Sequence, residues 1–130
     1  MISGRLCALA LLLISFSVSG NSINNKSENI PMKKAHTVMV VVEAKPEKIE
    51  ELKQALIAVV APSRAEGACL EYRLHQDKNN LAQFMLYENW ENAEMHQKQF
   101  EKPYIVELAG RMGELLAKPY FVVIAEEISQ

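Results

Sequence analysis

The chain has 130 residues, nearly half of them hydrophobic (49%), and a formal net charge of −2. That length suits one compact domain and not two. The slightly acidic balance, with no basic patch interleaved with aromatics, argues against nucleic acid as a partner.

Arg5 supplies a short positive stretch, Leu6 to Phe16 is almost unbroken apolar residue, and small residues follow at Ser17, Ser19 and Gly20. This order predicts a signal peptide over residues 1–20, cleaved after Ser19 or Gly20, and export to the periplasm or the medium. The apolar run falls well short of the roughly 20 residues that span a bilayer, so no membrane span is expected after cleavage. Cys7 precedes most of that run and is poorly placed for lipid attachment. Residues 21–35 read as a flexible leader, because Asn21 to Met32 is polar, rich in Asn and Ser, and without periodicity. The folded domain is then 36–130. It keeps only Cys69, which excludes an internal disulfide and sits in an apolar strand pattern that favours a buried structural thiol.

Thr37 to Ala44 (TVMVVVEA) is a β-branched run with no helical stripe, predicting a strand buried on both faces. Pro46 and Glu47 suit the first turn of a helix. Ile49, Leu52, Leu56, Val59 and Val60 then share one helical face, opposite Glu50, Glu51, Lys53 and Gln54. Pro62 should kink or interrupt this helix, and Gly67 is a natural stop. Cys69 to Gln76 alternates, with Leu70, Tyr72 and Leu74 on one side and Glu71, Arg73 and His75 on the other. The cluster Asp77 to Asn80 predicts a turn, and Leu81 to Trp90 the returning strand. Asn92 is a candidate N-cap for a short helix through Phe100. Pro103 opens another, with Ile105, Leu108, Met112, Leu115 and Leu116 as its apolar stripe. Pro119 ends it, and Tyr120 to Ile128 predicts the last strand.

The resulting order, β-α-β-β-α-α-β, is the ferredoxin-like arrangement of an α+β protein, with helices on one face of an antiparallel sheet. The first strand is apolar on both sides, so the uncovered face needs a second layer. Two copies packing sheet against sheet would supply it, which predicts a homodimer forming a dimeric α/β barrel.

Three segments carry a more specific likeness. They are EAKPEKIEELKQAL (Glu43 to Leu56), SRAEGACLEYRLHQD (Ser63 to Asp77) and FMLYENWENAEMHQKQFEKPY (Phe84 to Tyr104). The first is a strand-turn-helix with proline at the turn. The second opens a hairpin with Glu-Gly, Cys and Tyr, and the third ends a strand on Tyr-Glu-Asn-Trp. In that order they resemble the antibiotic biosynthesis monooxygenase domain, and within it the quinol-monooxygenase-like branch, over essentially His36 to Ile128. The resemblance implies a dimeric barrel and oxygenation of a small quinol-like or phenolic substrate by dioxygen, without metal, flavin or haem. Members of the family commonly carry histidine where this chain has Gln99 and Tyr104, and His96 lies one helical turn before the first of these.

Such an oxygenase needs an apolar pocket, a base that ionises the substrate, and one or two hydrogen-bond donors. The pocket is expected between sheet and helices, near Trp90, His75 and Tyr104. His75 and His96 are the candidate bases, because histidine titrates near neutrality; His36, at the domain edge, is not. Trp90 could stack on the substrate and offer its N–H to bound oxygen, or serve as a core anchor. Glu88 shares a strand face with Trp90 and is a candidate substrate contact or the partner of Arg64 or Arg73. Tyr72, Asn89 and Tyr104 are candidate donors to a quinone oxygen. The 3 histidines show no metal-ligand spacing, and glycine-rich nucleotide loops are missing, so no cofactor is expected. The rival reading is a dimer that binds a small hydrophobic molecule or haem without catalysis. An oxygen-independent enzyme of isomerase type is the third.

Overall fold

A computed structural model describes Lys34–Ser129. The expected signal peptide and nearly all of the expected leader lie outside the described residues. The elements run β1 (His36–Glu43), a 3-10 turn (Pro46–Lys48), α1 (Ile49–Ala65), β2 (Cys69–Gln76), β3 (Gln83–Trp90), α2 (Ala93–Gln99), α3 (Pro103–Leu115) and β4 (Phe121–Ala125). The four strands form one sheet in the order β2-β3-β1-β4, with every neighbouring pair antiparallel. This is the ferredoxin-like α+β fold.

Local chemistry explains the joints. The Asp77 carboxylate accepts from the backbone N–H groups of Asn79 (2.7 Å) and Asn80 (3.2 Å), closing the β2–β3 turn. Asn92 caps α2, its side-chain oxygen accepting from Met95 N–H at 2.9 Å. α1 buries Leu52, Ala55, Leu56, Val59 and Ser63. The four apolar ones belong to one core with Val38, Val42, Phe84, Leu86 and Trp90 of the sheet and Ile105 and Leu115 of α3.

Three local expectations are corrected. Pro62 lies inside α1 without ending it. The helix stops three residues later, so the missing N–H costs one ladder bond in the last turn, where buried Val59 and Ser63 hold the helix on the sheet. The chain then leaves through Glu66, in extended backbone (φ −67°, ψ 126°), and not through a left-handed glycine. In β2, Cys69 pairs with Trp90 while Glu71 pairs with Asn89, so Leu70 is the extra residue of a bulge. Leu70 is therefore exposed, and half-buried Cys69 packs on the core beside Tyr72 and Leu74.

Within one protomer the helices cover β1 on one face only, which leaves the apolar face that the expected second layer would cover. Val38 and Val42 point into the helix layer and are buried; Met39, on the other face, is 41% exposed. Met85 and Phe121, the latter 64% exposed, share this open face through the sheet register.

Candidate active site

The covered face of the sheet does not meet the helices everywhere. Between it and α2 and α3 lies a cavity of about 270 Å³, lined by Val40, Leu86, Phe100, Ile105, Leu108, Met112 and Val122 among others. Small-molecule sites commonly measure about 300–1,000 Å³ and are apolar with a few placed polar groups. This one falls just below that range. Its polar groups include Tyr72, Glu88, His96 and Gln99; no Lys or Arg lines it.

Glu88 and Trp90 alternate with Asn89 on β3, so both point to the helix layer. Trp90 is buried and its indole N–H donates to Glu88 Oε2 at 2.9 Å. His96, on the first turns of α2, brings Nε2 to 3.7 Å from the same oxygen. That gap exceeds a hydrogen bond. The His96 ring is wedged among His36, Trp90 and Phe100, with centroids 5.3, 5.6 and 5.1 Å away. Burial pushes the Glu88 carboxyl up to about 7, although the Trp90 N–H favours its anion. Burial, followed by the neighbouring His36, lowers His96 to about 4. Near neutral pH, His96 is therefore uncharged and Glu88 is close to half ionised.

Among the described residues no arginine pairs with Glu88 within the protomer, where one expectation had placed Arg64 or Arg73. Arg64 Nε donates to the Tyr72 carbonyl at 2.9 Å, and Arg73 pairs with Glu71 at 2.5 Å on the open face. The expectation of a free Trp90 N–H is also corrected. Trp90 stands behind Glu88 and outside the cavity wall, its donor already engaged.

A second polar chain runs behind the cavity. Gln99, the last residue of α2, is buried; its Nε2 donates to Ser63 Oγ at 2.8 Å and approaches the Tyr104 hydroxyl at 3.4 Å. Tyr104 in turn donates to Glu66 Oε1 at 3.2 Å, and Lys102 holds the other Glu66 oxygen at 3.1 Å. The Ser63 hydroxyl is also bonded to Tyr72, whose phenol is held well above its ordinary value, chiefly by burial. Tyr104 is thus a support for Gln99 and does not line the cavity.

Two expected site residues lie elsewhere. His75 pairs with Met85 and is exposed on the open face. Asn89 is on that same face, accepting from Thr37 (2.6 Å) and donating to Glu71 (3.0 Å). Strand alternation put both opposite Tyr72 and Glu88, and a pocket under the helices draws only on the Tyr72 side. Ser63 was not legible as a site residue, and Gln99 stood out only as an unexpected residue type. The usable signal was its spacing of one helical turn from His96. Among the described residues no cluster of three His, Cys, Asp or Glu side chains is arranged to hold a metal ion.

The fold and cavity define an α+β protein with a buried carboxyl–imidazole pair under its helices. Residues 35–108 match the antibiotic biosynthesis monooxygenase family, and the chain belongs to it. An uncharacterized protein of Synechocystis is 32% identical over 78 residues, covering 60% of this chain. The matched stretch spans about half (53%) of that relative's length. A solved Pseudomonas aeruginosa protein superposes with a TM-score of 0.72 at 28% identity, covering 75% of this chain and 98% of its own. A Mycobacterium tuberculosis protein gives 0.69 at 22% identity, covering 74% and 97%, a likeness of fold.

Proposed function

We propose that the protein is a cofactor-independent monooxygenase acting on a small quinol-like or phenolic substrate in the cavity beside Glu88 and His96. The observation that carries this reading is a buried carboxyl titrating near neutrality at the wall of an apolar cavity. General base catalysis works best when the base titrates near the working pH. Glu88 meets that condition, while His96 at about 4 is too weak a base to act alone. In this scheme ionised Glu88 takes the phenolic proton, and the Trp90 N–H keeps its carboxylate aimed. His96, uncharged, completes the polar end of the site without placing a fixed cation there. The electron-rich anion reduces dioxygen while the apolar wall excludes water. A hydroquinone would leave as the hydroxylated quinone. One oxygen atom of dioxygen enters the ring and the other departs as water. The substrate gives up the four electrons that reduce dioxygen, so no outside reductant is needed.

Support for oxygen chemistry comes from family membership; the quinol-like or phenolic substrate class is what the resemblance to the quinol-monooxygenase-like branch implies, and the size and apolar lining of the cavity are compatible with it. The open face, with Met39, Met85 and Phe121 exposed, supports the further proposal of a homodimer packed through it. Oxygen uptake by the purified protein, with reduced quinones and phenols and no added cofactor, tests the function. Glu88→Gln should lower turnover by roughly 10²- to 10⁴-fold, the usual scale of a lost general base. Full activity in that variant would remove Glu88 from the mechanism. Ligand binding without oxygen uptake would favour the non-catalytic reading.

A further inference from the structure

Gln99 stands where the family resemblance leads one to expect histidine, and its hydrogen bonds restrict what it can offer a ligand. A side-chain amide has two N–H donors and one carbonyl acceptor. Here the nitrogen faces two oxygens, Ser63 Oγ at 2.8 Å and the Tyr104 hydroxyl at 3.4 Å. The Tyr104 hydrogen is committed to Glu66, so Tyr104 can only accept from Gln99. That polarity favours this amide orientation: with its nitrogen toward both oxygens Gln99 makes two hydrogen bonds, whereas the flipped amide would keep one, from the Ser63 hydroxyl, and set its carbonyl against a Tyr104 oxygen with no hydrogen to give. The capacity left to the side chain is its amide oxygen.

Gln99 also lines the cavity, on the same helix as His96 and one turn beyond it. The remaining lining is largely apolar and holds no cation, so nothing there would compensate an anionic substituent.

We propose that Gln99 is a specificity-determining residue whose amide oxygen accepts a hydrogen bond from an uncharged hydroxyl of the substrate, selecting a dihydroxy aromatic over its ether and over carboxylated rings. The inference rests on the reading that this cavity is the substrate site. It deepens that reading by assigning the second hydroxyl a partner. Ser63, Tyr104 and Glu66 act as positioning residues that keep the amide nitrogen turned away from the ligand.

The test compares 1,4-dihydroxynaphthalene with 4-methoxy-1-naphthol, which lacks one hydroxyl donor, in wild type and in Gln99→Met. Binding is measured anaerobically by calorimetry on the intact protein, and oxygen uptake separately in air. Wild type should bind the diol roughly tenfold more tightly, the scale of one well-made hydrogen bond against a buried acceptor left unpaired. In Gln99→Met the two ligands should bind within about twofold of each other, through weaker binding of the diol. Thermal melting establishes that the variant is folded; should it fail to fold, Gln99→Glu with the diol and the ether replaces it. That variant keeps an acceptor and should retain the preference for the diol. A preference that persists in Gln99→Met, or that is missing from wild type, overturns the proposal. Diol selectivity without oxygen uptake would refute the monooxygenase reading and leave Gln99 in its role. Oxygen uptake without diol selectivity would do the reverse. Failure of wild type to bind either ligand overturns both.

Discussion

The two faces of the sheet are built from the same strands, yet they solve opposite problems. Under the helices, Val38, Val42, Phe84 and Trp90 are fully packed, and the polar Glu88 is kept among them by one indole N–H, with the His96 imidazole nearby. On the open face, charged and polar residues bond to one another beside exposed Met39 and Phe121. Burial without a counter-charge moves proton affinity on the first face. On the second, solvent screens each charge, and the apolar residues are what stand out. The candidate chemistry therefore belongs to the covered face and the candidate interface to the open one.

The sharpest way to break this contrast is to put one charge on each face. Val42→Asp should cost several kcal/mol and leave no folded protein, since the carboxylate would be buried without a partner. Phe121→Asp should keep a cooperative melt but yield a monomer by light scattering, if the open face is the dimer surface. Equal damage from both would mean that the faces are not distinct.

A pH series on stability sharpens the comparison next. The Glu88 carboxyl, ordinarily near 4.5, titrates near 7 in the folded chain. Between those values the folded state keeps a proton that the unfolded chain releases, so stability falls as pH rises. His96 works in the opposite sense: ordinarily near 6.5 and lowered to about 4, it makes stability rise with pH between those limits. A tenfold change in proton affinity is worth about 1.4 kcal/mol, so each effect is at most on the order of 3 kcal/mol, and smaller for His96, whose charge solvent partly screens. The two oppose each other through the shared range, and wild type should be nearly flat there. Glu88→Gln should show stability rising up to pH 6.5, and His96→Gln should show it falling up to pH 7. Chemical denaturation at each pH reads both slopes; parallel profiles in all three proteins would contradict the buried neutral pair.

Smaller effects follow. Trp90→Phe removes the donor to Glu88 while keeping much of the ring, and should cost about 1–3 kcal/mol. It should also move the activity profile to higher pH, because the carboxylate loses its one stabilising hydrogen bond. An unmoved profile would separate Trp90 from the chemistry. His75→Ala, on the far face from the cavity, should leave the turnover of folded protein intact. Loss of activity there would relocate the site to the open face.

The periodicities of the chain were enough for the architecture. The β-branched run of β1, the stripe of α1, the turn chemistry of Asp77 to Asn80 and the Asn92 cap are local signals, and each produced its element. Alternation along β3 likewise put Glu88 and Trp90 on one face, because a strand repeats every two residues whatever surrounds it. Tertiary structure decided which face the cavity lies under, and that choice brought His96 to Glu88 and left His75 and Asn89 outside. It also decided the hydrogen-bond direction of Gln99, which depends on Ser63, Tyr104 and Glu66 arriving from other elements. Neither the bulge at Leu70 nor the tolerance of Pro62 was legible locally, since both depend on what Cys69 and Ser63 pack against. Proton affinities are of the same kind: the residue type sets the starting value, and burial, which only the assembled fold creates, moves Glu88 and His96 in opposite directions.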